Sequence, residues 1–321
     1  MEINETNLKK ISRLGMCGAY GLAMLELAEE NQNVIAVTPD LTSFSGLNRF
    51  FKKYPDRLYN VGIAEQNMVG IAAGLTSEGF SVYASTYASF ATTRALDQVR
   101  VMMSQMGQPV KLIGLTAGLS AGILGGTHIS TGDVAQIAGI PNITIISPAD
   151  ALECMKVIKA LIDYPKPAYV RFTGPVTSPF IYSEDYDYEI GKAVTLSEDR
   201  GADIAIVGIG AILSRCVIVA ERLRKEGRKV TLINMHTVKP LDMDKLDSLV
   251  EYKYVFTVEE HSLYGGLGAA VCGYYANKEK SPRVVTIGLP DIYLEPGDYE
   301  YLVERCGLDE QGIYKMIQQY I

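Results

Sequence analysis

An α/β fold of two domains is what the sequence predicts, and three observations carry it. Short β-branched runs alternate with helical stretches, the alternation breaks once near residue 180 before resuming, and 321 residues exceed the usual span of a single core. Strands separated by helices of this length become parallel neighbours joined by helical crossovers.

In chain order, the first strands are read at 33–37 (NVIAV), 81–85 (SVYAS), 110–115 (VKLIGL), 143–147 (ITIIS) and 168–172 (AYVRF). The stretch TGPVTSPFIYSEDYDYEIG, 173–191, mixes prolines, acids and tyrosines without helical periodicity and reads as an ordered connection. Beyond it the alternation restarts with DIAIVGIG, the amphipathic SRCVIVAERLRKEG, KVTLIN, YVFTVEE and RVVTIG. The expected division is a parallel-sheet domain over 1–180, a linker over 181–189 and a second α/β domain over 190–321.

Composition narrows the function classes. With 48% hydrophobic and 21% charged residues the chain has the balance of a soluble globular protein. A net charge of -7 gives no electrostatic footprint for nucleic acid or an anionic membrane surface, so proteins and small molecules are the expected partners. The N-terminal MEINETNLKKISRLG lacks a signal-type apolar core, and no run approaches the roughly 18 apolar residues of a membrane helix; a cytoplasmic protein is expected. Five cysteines, odd in number and never spaced C-x-x-C, read as free thiols.

Several motifs invite chemistry. VGIGAIL offers Gly208 and Gly210 but puts Leu213 where a dinucleotide fingerprint needs glycine. HSLYGGLGAA, with Gly265, Gly266 and Gly268, opens a helix whose N-terminus could receive an anion, although close packing is the plainer reading. Arg94 and Asp97, three residues apart on a helix, read as a structural ion pair. His236 and His261 sit at strand ends, where packing is the default role. His128 differs, because its glycine-rich loop GLSAGILGGTHISTGD follows a strand, and loops beyond strand carboxyl ends bind ligands in open α/β sheets. Glu65, in YNVGIAEQNMVGIAAGLTSEG, puts an acid at the head of an apolar helix.

Taken in order, DLTSFSGLNRFFKKYPDRLYNVGIAEQNMVGIAAGL, STYASFATTRALDQVR, GGTHISTGDVAQIAGIPNITIISPADALE, NMHTVKPLD and VEEHSLYGGLG resemble the pyrimidine-binding and C-terminal domains of transketolases. The likeness covers essentially the whole chain and is that of the C-terminal subunit of a split bacterial transketolase. It implies thiamine diphosphate as cofactor. Glu65 matches the glutamate that hydrogen-bonds N1′ of the aminopyrimidine, so that the cofactor's own 4′-amino group becomes the base at C2. Burial should raise the pKa of Glu65 and a helix N-terminus oppose the rise, with burial expected to dominate. Tyr87 and Phe90 match the aromatic pair stacked on the pyrimidine, Asp40 an acid close to the thiazolium, and His128 a histidine that contacts the donor's oxygens.

The family holds the diphosphate through magnesium bound by a G-D-G motif, and G-D-G occurs nowhere in this sequence. The resemblance therefore implies an N-terminal, diphosphate-binding partner subunit that carries the Mg²⁺ (or Ca²⁺), homodimerisation within an α2β2 assembly, and no metal ligand in this chain. It also exposes departures. Cys17 and Phe44 stand where an arginine and a serine grip the sugar phosphate, Thr116 replaces a phosphate-binding histidine, and Leu124 replaces an aspartate that reads a sugar hydroxyl. Arg171 keeps its phosphate-binding counterpart, and Ser43 or Ser45 could stand in for the lost serine. The expected activity is transfer of a two-carbon ketol unit from a ketose to an aldose with atypical sugar substrates. The alternatives are a beta subunit of a 2-oxo acid dehydrogenase or acetoin-type enzyme, and a non-catalytic scaffold subunit.

Overall fold

Twelve strands in two sheets organise the computed structural model, which describes residues 4–321; the first three residues of the N-terminal stretch read above lie outside it. The strands are β1 (Val34–Thr38), β2 (Leu58–Asn60), β3 (Ser81–Tyr87), β4 (Lys111–Leu115), β5 (Thr144–Ile146), β6 (Ala168–Arg171), β7 (Val194–Glu198), β8 (Ile204–Gly208), β9 (Val230–Asn234), β10 (Thr237–Lys239), β11 (Tyr254–Ser262) and β12 (Arg283–Leu289). The first sheet runs β10-β5-β6-β4-β3-β1-β2 and the second β12-β11-β8-β9-β7. Every residue of β1, β4, β6, β8 and β9 is buried, which is why these runs read as continuously apolar rather than alternating.

The sheets are parallel as expected except at two edge strands. β7 pairs antiparallel with β9, and β10 pairs antiparallel with β5. β10 follows the second domain's β9 in sequence yet closes the edge of the first sheet, covering backbone groups that would otherwise template pairing with another chain.

Helices cover both faces of the first sheet. α1 (Glu5–Glu30) starts at Asn4, whose side chain accepts the Asn7 N–H at 3.0 Å, and is broken at Gly15, where φ is +69°. Its Tyr20, Ala23, Met24 and Leu27 pack with Val34, Tyr83 and Ile113 on one face. α2 (Asn48–Lys53) follows β1, and α3 (Glu65–Ser77) lays Met68, Val69 and Ala72 on the opposite face. That second cluster continues without a break into Val207, Ile233 and Val255 of the other sheet, so one apolar core joins the two halves.

No helix or strand spans the connection between Arg171 and Val194. It is nonetheless ordered. Asp150 accepts the N–H groups of Ile181 and Tyr182 at 3.0 and 2.9 Å, while Glu153 accepts the Tyr186 hydroxyl at 2.8 Å and the Asn234 amide at 2.9 Å. All five cysteines are free thiols. Among the described residues no helix is long and apolar enough to cross a membrane.

Candidate active site

The chain leaves β1 outward to β2 and then crosses back to β3 on the other side of β1. This reversal creates a crevice at the carboxyl ends of β1 and β3, the position where open α/β sheets accept ligands. Three chain segments fill it. β1 leads to Asp40 and the 41–47 loop, β3 ends on Tyr87 and a π-helical turn Phe90–Arg94, and β4 leads to Thr116 and the loop bearing His128. Two of the non-glycine residues with positive φ lie here, Asp40 at +65° and Thr116 at +52°. Left-handed backbone at a β-branched threonine is costly and gathers at functional sites, so its place beside the crevice fits a working surface.

Four rings converge. Tyr87 sits 4.9 Å from Phe44, 5.6 Å from Phe90 and 5.0 Å from the His128 imidazole, and Phe90 is also 5.0 Å from His128, centroid to centroid. Most of these contacts are edge-on, leaving ring faces for a planar guest. His128 Nδ1 is 2.9 Å from the Thr127 hydroxyl, which orients the ring. The loop carrying Phe44 approaches α1 so closely that a Cβ on Gly46, whose φ is +78°, would fall 2.2 Å from the Cys17 carbonyl oxygen.

Next to the rings lies a cavity of about 400 Å³, lined among others by Cys17, Phe44, Tyr87, Thr116 and Leu124. The four positions at which the chain departs from the family pattern thus share one wall. Desolvation pushes the Cys17 thiol up to about 12, so it is neutral at physiological pH. Asp40 lies in an adjoining hollow with Ser43, its carboxylate accepting the Asn60 amide at 3.1 Å. Ser43 donates to Asn48 at 2.9 Å, whereas Ser45 is buried and receives the Ser85 hydroxyl at 3.0 Å.

Glu65 is the first residue of α3, as expected, and is buried. Its carboxylate was expected to stand among apolar groups, but both oxygens accept Arg94 Nη1 at 2.9 Å. Arg94 also lays its guanidinium 3.9 Å above the Phe90 ring. The reading of Arg94 with Asp97 is therefore corrected: Asp97 pairs with Arg100 at 2.6 Å, one turn on, which frees Arg94 for Glu65. Both pairings have the same spacing, so sequence alone could not choose between them. The guanidinium is a planar N–H donor stacked on an aromatic face and bonded to a buried carboxylate. An aminopyrimidine has the same attributes, and the residues present fit one.

Arg171, expected at the substrate phosphate, stands apart from the cavity. It is wholly buried, donates to Asp133 from Nε at 2.7 Å and Nη2 at 3.1 Å and to the Glu260 carbonyl at 2.9 Å, and does not line the cavity. β6 lies between β5 and β4 in the middle of the sheet, so its last side chain meets the second domain rather than solvent. Tyr169 adds a hydroxyl to Asp133 at 2.8 Å. Asp133 and Glu260 carried no sequence signal, since their partners are distant in the chain.

The glycine-rich HSLYGGLGAA turn is likewise occupied from within. The Leu267 and Gly268 N–H groups donate to Glu259 at 2.7 and 2.8 Å, and a Cβ on Gly266 would fall 2.2 Å from that carboxylate. Burial raises Glu259 to about 7 against those two hydrogen bonds. His261 accepts the Ala135 N–H at 3.3 Å and His236 packs 4.6 Å from Tyr188; burial lowers both imidazoles. Among the described residues no group of three or more His, Cys, Asp or Glu could hold a metal ion.

Comparison with known proteins identifies both domains. Residues 13–176 match the transketolase pyrimidine-binding domain and residues 191–313 the transketolase C-terminal domain. The chain is 35% identical over 300 residues to an apulose-4-phosphate transketolase subunit of Phocaeicola vulgatus, covering 93% of this chain and 95% of that one. It is 33% identical over 294 residues to a 6-deoxy-6-sulfo-D-fructose transketolase subunit of Clostridium sp., covering 91% and 90%. Among solved structures it overlays a split-gene transketolase, described as an inactive beta4 tetramer, with a TM-score of 0.85 at 31% identity, over 96% of this chain and 98% of that one.

Proposed function

The chain belongs to the transketolase family and carries its pyrimidine-binding and C-terminal domains, and from that premise we propose that it is the C-terminal subunit of a two-component, thiamine diphosphate-dependent enzyme. The reaction is transfer of a two-carbon ketol unit from a ketose donor to an aldose acceptor, with substrates other than the ordinary pentose phosphates. The observation that carries this reading is Glu65: a buried carboxylate at the head of α3, engaged by a planar N–H donor that stacks on Phe90.

When bound, thiamine diphosphate supplies the electron sink that lets a carbon–carbon bond beside a carbonyl break and re-form. In this reading Glu65 shares a proton with N1′ of the pyrimidine, and Tyr87 and Phe90 hold the ring's faces. Asp40 sets the charge near the thiazolium, and His128 donates to the substrate oxygen on which negative charge develops. Arg94 gives up its place on Phe90 and Glu65 to the incoming ring. The diphosphate and its Mg²⁺ or Ca²⁺ belong to the N-terminal partner subunit, in an assembly of two copies of each chain. The reading keeps the cytoplasmic location expected from the sequence.

Atypical substrates follow from what the cavity offers. Hydrogen bonds to charged groups contribute about 1.5 to 3 kcal/mol each. Cys17, Phe44 and Thr116 replace three phosphate ligands of the family pattern, and Arg171 is committed to Asp133. A phosphorylated sugar loses orders of magnitude in affinity under those conditions.

Co-expression with the diphosphate-binding subunit, followed by hydrogen–deuterium exchange at C2 of bound thiamine diphosphate, tests the reading. Exchange in the wild type should fall at least about a hundredfold in Glu65→Gln, the scale of a lost proton-transfer partner. Equal and slow exchange in both proteins would refute it.

A further inference from the structure

The cavity beside the ring cluster has a composition that selects on charge. Among the described residues its lining contains no Arg, Lys, His, Asp or Glu. Its apolar lining includes Leu14, Met16, Ile123, Leu124, Pro175 and Val176. Four of these are held toward solvent although apolar: Leu14 is 46% exposed, Leu124 49%, Ile123 79% and Val176 94%. An apolar rim of this kind gains free energy when an apolar guest covers it. The only titratable side chains in the lining, Cys17 and Tyr87, are both shifted up by desolvation and remain neutral.

Two polar atoms interrupt the apolar wall. Thr116 Oγ1 and Ser120 Oγ are buried and have no hydrogen-bond partner, and both residues line the cavity. Buried hydroxyls without partners are uncommon, and each can donate to or accept from a guest hydroxyl. The other buried hydroxyl of this wall, Thr173 Oγ1, is already taken by the Ala211 N–H at 2.9 Å. The cavity thus offers two free hydroxyls among alkyl groups, within the size range of sites for small molecules.

We propose that this cavity receives the terminal segment of a neutral, methyl-ended sugar, with Thr116 and Ser120 bonding its inner hydroxyls and Ile123, Leu124 and Val176 covering its terminal carbon. A terminal phosphate or sulfonate would be stripped of water there without a cation to compensate it. The inference deepens the ketol-transfer reading by naming the substrate class, and it rests on that reading for the chemistry but not for the binding. The residues named for the cavity belong to this chain, so binding to it can be measured without the cofactor.

The matched probes are 5-deoxy-D-ribose and D-ribose 5-phosphate. Both are blocked at O5 from closing a six-membered ring, so they differ chiefly in methyl against phosphate. Calorimetric titration of the full chain, and of its complex with the diphosphate-binding subunit, should give a Kd for 5-deoxy-D-ribose at least about tenfold below that for D-ribose 5-phosphate, a difference of about 1.4 kcal/mol. Leu124→Arg, at a half-exposed position that tolerates charge, should abolish or invert the preference while the thermal midpoint stays unchanged. Equal or tighter binding of ribose 5-phosphate by the wild type would overturn the proposal, as would no binding of either sugar at millimolar concentration. Thiamine C2 exchange, run in parallel on the complex, separates the two readings. A methyl preference without exchange keeps the cavity assignment and sinks the thiamine site, and exchange without a methyl preference does the reverse.

Discussion

Two guanidinium–carboxylate pairs in the first domain use the same chemistry to different ends. Arg171 and Asp133 meet at 2.7 Å with both side chains fully buried; Arg94 and Glu65 meet at 2.9 Å with Arg94 46% exposed and Glu65 3% exposed. The first pair is sealed by Tyr169 and the Glu260 carbonyl. The second borders an open hollow with Ile63, Gln66 and Asn67. A sealed pair cannot exchange partners, so it fixes how the two halves of the chain dock. A pair with one wet member can, and its buried carboxylate is available to whichever planar donor reaches Phe90. Exposure of the cation, more than the ion-pair distance, separates architecture from site.

The sealed side carries the largest expected effects. Arg171→Leu leaves Asp133 buried without its counter-charge, a change that typically costs about 3 to 5 kcal/mol. The thermal midpoint should fall by several degrees, in the chain alone and in the complex alike, and an unchanged midpoint would break the comparison. Next in size is Glu259, at the helix N-terminus Leu267–Tyr275. Its folded pKa, about 7, lies above its unfolded value near 4.5. The folded state therefore holds the proton more tightly, so this group's contribution to stability is fully present below about pH 4.5 and is lost as pH rises through about 7. The span is at most about 3 kcal/mol at 1.36 kcal/mol per pKa unit. Melting curves at pH 5 and pH 8 should diverge less in Glu259→Gln than in the wild type, because the amide does not titrate.

The strands were legible where burial on both sides makes an apolar run, as in VKLIGL and DIAIVGIG, and illegible where three residues pair across a long separation. β10 joins β5 over some ninety residues, and β2 is a short edge with two of its three residues exposed, so neither carries a local pattern. The site divides the same way. Cys17, Phe44, Thr116 and Leu124 could be singled out one by one from the family pattern, yet only the close contact of α1 with Gly46 and the left-handed turn at Thr116 bring them to one wall. Arg171 fits the family's phosphate-binding position in YVRFTG, but its partner Asp133 lies 38 residues away and has no periodic link to it. Ile123, Val176 and Ser120 looked like ordinary loop residues, because exposure and unpaired hydroxyls are properties of the folded surface alone.

The smallest expected effect tests the open side most directly. If the Arg94 guanidinium holds the place an aminopyrimidine would take, then removing it takes away a competitor and leaves the aromatic face and the carboxylate in position. Arg94 is nearly half exposed, so the ion pair is discounted for solvent and is worth about 1 kcal/mol or less. Arg94→Ala should therefore tighten thiamine diphosphate binding by the assembled enzyme by up to about fivefold, the ratio that 1 kcal/mol gives. The thermal midpoint without cofactor should hardly move, in contrast to Arg171→Leu. Fluorescence or calorimetric titration reads the affinity. Weaker binding would mean that Arg94 assists the cofactor instead of yielding to it, and the two pairs would then differ in exposure but not in kind.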